Sequence, residues 1–348
     1  MKKRITVLFL CFFIIALPLA SCAEKQTEPQ VRSYFNWFDT VSTVYSYAGD
    51  SEDTFLANCE AVTAVLEEYH RMFDIYYEYA GINNLCTVNK NAGKAPVKVD
   101  IRLIEFIEYA KDLYTLTNGE MNIALGAVLK LWHDKRTEAN DGGIAALPDE
   151  AELTSAEKHT GIDSIIIDRE ACTLYLSDSD ARIDVGALGK GYATERAAEA
   201  LRARGISAYV LNIGGNVRCI GTRPSGDGWI TGITNPDKTS EEPFVYRVEL
   251  RDVSCVTSGN YERFYTVDGK RYHHIIDKDT LMPSAHFALV SVICADSGLA
   301  DGLSTALFCM SYEQGYELVS RLGGVEVLWV RENGERLMTD GFNALLIN

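Results

Sequence analysis

Positive charge is scarce in this chain: 33 lysines and arginines stand against 49 aspartates and glutamates, a net charge of −16 over 348 residues. Such a surface repels nucleic acid and anionic headgroups, so no nucleic-acid partner is expected. An anionic ligand would need a metal or a local cluster of donors. Cysteine pairs at CxxC spacing are missing, which removes the usual zinc arrangement. Of nine cysteines, Cys11 and Cys22 belong to the leader discussed below. The other seven, Cys59, Cys86, Cys172, Cys219, Cys255, Cys294 and Cys309, are odd in number and suggest no disulfide framework. Several, such as Cys294, lie in apolar runs and read as small buried hydrophobes. There is no internal repeat and no low-complexity tract. Beyond residue 20 no apolar run approaches the roughly 20 residues that a spanning helix needs.

What is present is a composition 47% hydrophobic and 10% aromatic, enough for the core of one large domain or two intimate ones. The first four residues carry three positive charges, and residues 5–20 are almost wholly apolar, ending in Leu19-Ala20-Ser21-Cys22. That is the plan of a secretory signal closing on a lipidation cysteine. The expectation is a signal peptide over 1–21, a lipid on Cys22, a polar tether over 22–32 that contains Pro29, and a globular domain over 33–348. The protein is then anchored in the cell membrane and faces its extracytoplasmic side.

Periodicity predicts helices from Ser51 to about Met72, over 101–117 and over 122–133, so that helices fill the first half. Past Asp163 short β-branched runs predict strands over 165–168, 173–176, 208–211, 229–233, 245–250, 264–267, 289–293, 326–330 and 344–347. Two helices, near 188–204 and 299–309, interrupt them. Segregated rather than alternating elements argue for an α+β fold.

Four stretches could carry chemistry. Asp184-Val185-Gly186-Ala187-Leu188-Gly189-Lys190-Gly191-Tyr192 lacks Walker spacing but reads as a tight turn opening a helix, where bare N–H groups and Lys190 favour an anion. Asp184 could instead simply cap that helix. Asn212-Ile213-Gly214-Gly215-Asn216 either lets backbone approach a ligand or turns a hairpin. His273 and His274 lie in a strand-like run and should point to opposite faces, one of them catalytic and the other exposed, or both structural. Asp301 and Thr305, four apart in a predicted helix, bring a carboxylate and a hydroxyl together, hard oxygen donors suited to magnesium or calcium; a cap or a solvated face is the plainer alternative.

Together these stretches resemble the ApbE family, the FAD:protein FMN transferases, through DVGALGKGYATERAAEAL from Asp184, LNIGGNV from Leu211, TSGNYERFYTVDGKRYHHIID from Thr257 and ADGLSTALF from Ala300. The resemblance implies a T-fold-related mixed sheet and helix architecture. It implies a Mg2+ site with side-chain oxygens from Asp301 and Thr305 and the carbonyl of Ala187, where some members carry a second acid at the position of Ser304. It implies FAD contacts from Asp184, Lys190, Ile275, Glu120, Met121 and Asn122, the last standing where an acid is commoner, and more loosely from Phe38 and Tyr79.

The activity so implied is transfer of FMN from FAD to a Ser or Thr hydroxyl of an exported or membrane redox protein, with release of AMP. His274 is the candidate base, on the ground that an ordinary imidazole pKa suits neutral pH, with a carboxylate near the metal as the alternative. The alternatives are a metal-dependent FAD pyrophosphatase, giving FMN and AMP, and a non-catalytic flavin-binding lipoprotein. A structural surface protein would leave Asp184, His274, Asp301 and Thr305 unexplained.

Overall fold

The computed structural model describes residues 28–347. Its centre is an eight-stranded antiparallel sheet in the spatial order Gln30–Tyr34, Ser42–Ser46, Tyr209–Ile213, Asn216–Ile220, Ser254–Gly259, Leu289–Cys294, Glu326–Val330 and Arg336–Met338. The Leu289–Cys294 strand is buried along its whole length because both faces of the sheet are covered. Val290, Val292 and Cys294 join the core beneath the helices, whereas Leu289 and Ile293 join a second core on the opposite face. Val327 and Trp329 alternate with Leu328 and Val330 in the same way, as a period of two requires. The second core is closed by the Trp229–Thr234 and Phe244–Leu250 hairpin and by Phe342.

The helical face is built from Glu52–Phe73, Gly189–Ala203 and Ser297–Cys309. Ser51 caps the first of these by accepting from Thr54 N–H, with Glu52 and Asp53 in the first turn and His70 and Arg71 in the last, each sign favourable to the helix dipole. Ile101–Leu116 ends where Asn118 and Gly119 take positive φ, as the Asn-Gly pair predicts. A three-stranded sheet of Val97–Lys98, Thr173–Leu176 and Ile165–Asp168 adds Ile165, Leu174 and Leu176 to the same core, whereas the Gly126–Asn140 helix packs Val128 and Trp132 into a third core with Tyr265 and Leu281.

The α+β reading holds, with three local corrections. Three strands, Gln30–Tyr34, Ser42–Ser46 and Val97–Lys98, lie in the half expected to be helical, and the first takes up Gln30 to Arg32 of the stretch read as a tether. The helix expected over 122–133 begins only at Gly126, because residues 120–125 turn against the 182–184 segment. The tail read as a strand over 344–347 is instead the end of a short helix, Asp340–Ala344, capped by Thr339 and followed by a single bridge from Leu346 to Val248. Its apolar residues bury one side of a turn, which a four-residue run cannot distinguish from a strand. The seven cysteines from Cys59 onward are all unpaired. Among the described residues no helix is long and apolar enough to cross a membrane.

Candidate active site

A cleft of about 1060 Å³ opens between the helical face and the loops above the sheet. Every sequence-predicted site residue within the described range lines it: Phe38, Tyr79, Glu120, Met121, Asn122, Asp184, Ala187, Lys190, His274, Ile275, Asp301 and Thr305. Cys22 and its leader lie outside the described residues.

One wall forms where two helices come unusually close. A Cβ at Gly191 would stand 2.3 Å from the Ser297 carbonyl and 2.4 Å from Asp301 Cβ, so only glycine permits this spacing. The contact lets Gly191 N–H donate to Asp301 Oδ2 at 2.7 Å, with Lys190 Nζ at 3.9 Å from the same oxygen. Asp301 is only 4% exposed. Behind it, buried Glu195 ties the two helices together, accepting from Ser297 N–H at 2.8 Å and from the Arg218 guanidinium at 2.9 Å.

Asp184 does not cap the Gly189–Ala203 helix; the capping position is Leu188, which supplies no side-chain bond. The Asp184 carboxylate instead accepts from Gly186 N–H at 2.9 Å, tightening the turn in front of the helix. Its backbone N–H donates to Ile123 O at 2.9 Å, and Gly126 leaves no room for a Cβ against the Arg182 carbonyl. The 120–122 loop is thereby held beside Asp184. Within that loop Asn122 is spent on the fold, accepting from Ala124 N–H and donating to Thr160 O. Glu120 faces Lys278 at 3.3 Å, yet burial pushes its carboxyl above the usual range.

The two histidines do diverge, but the partner of His274 is buried rather than exposed. His273 donates from Nε2 to Ser284 O at 2.9 Å and accepts from Ile275 N–H at Nδ1, which spends both nitrogens on holding the strand end in place. His274 lines the cleft, and its Nδ1 is buried from solvent without a partner. Burial, then Arg263, Arg136, His273 and Lys190, push its pKa down to about 3, so the imidazole is neutral and not in the ordinary range expected for it.

The Asn212 to Asn216 turn is a two-residue hairpin with both glycines at positive φ, 57° and 91°. The turn also lines the cleft, and a Cβ on Gly214 would collide with Thr40 Oγ1 at 2.5 Å. The hairpin reading of that motif holds. Phe38 and Tyr79 sit around His70, and Tyr79 O–H donates to Asp74 at 2.8 Å. Ser304, fully buried, bonds Ser258 and the Asp301 carbonyl rather than lining the cleft. Sequence reasoning missed Arg136 and Arg263, which also line it.

The fold places the chain first in a structural class. It superposes on the ApbE protein of Thermotoga maritima with a TM-score of 0.79 at 25% identity, covering 92% of this chain and 100% of that one. It superposes on the flavin transferase ApbE of Vibrio cholerae at 0.75, with 23% identity, 91% of this chain and 100% of that one. Sequence comparison is more specific. The ApbE family pattern matches residues 38–329. The FAD:protein FMN transferase of Treponema pallidum is 34% identical over 263 residues, 71% of this chain and 70% of its own length. That of Haemophilus influenzae is 27% identical over 328 residues, 92% of each. The chain belongs to the ApbE family.

Proposed function

We propose that this chain is an FAD:protein FMN transferase. The observation that carries the reading is convergence: the residues from position 38 to position 305 that the sequence motifs single out line one cleft. In that reading a Ser or Thr hydroxyl oxygen of an acceptor redox protein attacks the phosphorus on the FMN side of FAD. A P–O bond to that hydroxyl forms, the P–O bond to AMP breaks, and AMP departs with the electron pair. The hydroxyl proton passes to the imidazole of His274, whose neutral state leaves a ring nitrogen free to accept.

Asp301, Thr305 and the Ala187 carbonyl would hold magnesium. The residues fit such an ion, since all three donors are oxygens and, among the described residues, the buried Asp301 carboxylate has no cation closer than Lys190 at 3.9 Å. Bound there, magnesium supplies positive charge against the diphosphate and the departing AMP.

Incubation of the purified chain with FAD, magnesium and a candidate acceptor domain should release AMP and add one flavin mononucleotidyl group to the acceptor by mass. Free FMN and AMP with every acceptor unlabelled would favour hydrolysis instead, and FAD that stays intact would favour a binding protein.

The same proposal sets the enzyme on the outer face of the cell membrane, carried by a lipid on Cys22. Its support is the charged and apolar leader ending at that cysteine. Cys22→Ala should move the expressed protein from the membrane pellet to the soluble extracytoplasmic fraction; retention in the pellet after carbonate washing would refute the anchor.

A further inference from the structure

Three cationic side chains line the cleft: Arg136, Lys190 and Arg263. Among the described residues, the long contact of Lys190 with Asp301 at 3.9 Å is the one ion pair that any of them makes. In a chain of net charge −16, two cleft arginines without a salt bridge are notable, although the Asp184 carboxylate does act on Arg136. Burial, and then Arg263, push the Arg136 guanidinium below its ordinary value, so the two like charges act on one another. The Arg136 guanidinium lies 3.2 Å from Nδ1 of His133. That imidazole is itself held down by burial and by Arg136. Both arginines also act on His274, whose Nδ1 is buried with no partner.

A pocket that gathers guanidinium groups and repels protons from its histidines is electrostatically incomplete. The missing component is an anion with several acceptor oxygens, since planar guanidinium donors match phosphate oxygens in pairs. Arg136 comes from the Gly126–Asn140 helix, and Arg263 precedes the Phe264–Val267 strand. Neither belongs to the two helices that carry Lys190 and Asp301.

We propose that Arg136 and Arg263 form a clamp for the phosphate groups of the dinucleotide, independent of the metal ligands, and that this clamp sets the preference for FAD over flavins without phosphate. The inference rests on the flavin-transfer reading and adds two specificity-determining residues to it. The clamp acts on ground-state binding, so its effect is readable without magnesium or an acceptor.

The test is equilibrium binding to the full chain in metal-free buffer, with FAD, ADP and riboflavin as probes. Arg136→Gln and Arg263→Gln should each weaken FAD and ADP by about tenfold, in line with the loss of one charge-assisted contact of about 1.5 kcal/mol. Riboflavin should bind within twofold of wild type. Arg136→Lys should recover part of the loss. Thermal unfolding of the ligand-free variants should show no loss of stability, because each substitution relieves repulsion. Unchanged FAD and ADP affinity in the double variant, or equal weakening of riboflavin, would overturn the clamp. A wild-type chain that binds FAD no better than buffer would instead overturn the flavin reading itself.

Discussion

Asp301→Ala is expected to lower FMN transfer by at least about a hundredfold at saturating FAD, the scale on which removal of one group that stabilises developing charge is felt. The residue is placed for this effect. Its carboxylate is nearly buried, one oxygen is fixed by Gly191 N–H at 2.7 Å, and the glycine that makes the fit possible sits against Asp301 Cβ itself. Alanine also orphans the Gly191 N–H, a cost of about 1–3 kcal/mol in stability, so a lost activity could be confused with a loosened fold. Asp301→Asn separates the two. Its amide oxygen can still accept from Gly191, while the negative charge is gone. The asparagine variant should keep a melting temperature close to wild type and show the same loss of AMP release, only partly restored by raising magnesium. Full activity in that variant would remove Asp301 from the metal site.

The second large effect concerns His274. His274→Ala should cut kcat by about 10²–10⁴, the usual worth of a positioned proton acceptor, with FAD affinity changed little. The pH dependence carries a sharper signature. The folded-state pKa is depressed to about 3 by burial and by the surrounding cations. The free enzyme therefore holds His274 neutral throughout the ordinary working range, and kcat/KM should show no acid limb near the unperturbed value of about 6.5. The sign for stability follows from the same shift. Below about 6.5 the unfolded chain takes up a proton that the folded chain refuses, so this contribution is present above that pH and is lost as pH falls toward 3. His274→Gln should make the acid side of the stability profile shallower. An acid limb of kcat/KM at 6–7 that disappears in the glutamine variant would contradict the buried, neutral imidazole.

Much of this was legible in the chain, for identifiable reasons. The Glu52–Phe73 helix announced itself through a serine cap and a regular apolar face, and the Ile165–Asp168 and Thr173–Leu176 strands through β-branched runs between turns. Asp301 and Thr305 were readable as neighbours because helical spacing alone sets residues four apart on one face. The strands Gln30–Tyr34 and Ser42–Ser46 were not readable. Their sequences, QVRSY and STVYS, are polar or mixed, and what makes the second a strand is pairing with Tyr209–Ile213, more than 160 residues later. Arg136 was missed because a helix reading HDKRTEAN looks like a solvated face; the fact that it faces a cleft belongs to tertiary structure. The failed tail strand shows the opposite error, a β-like composition overruled by a cap at Thr339.

The bond from Gly191 to Asp301 joins points 110 residues apart, and the cleft draws on chain from position 38 to position 305 and beyond. Long closures of this kind form late in folding. A nascent polypeptide that stops short of Asp301 lacks one wall of the flavin pocket. Capture of the nucleotide therefore waits until the chain has been made and folded at least through Thr305.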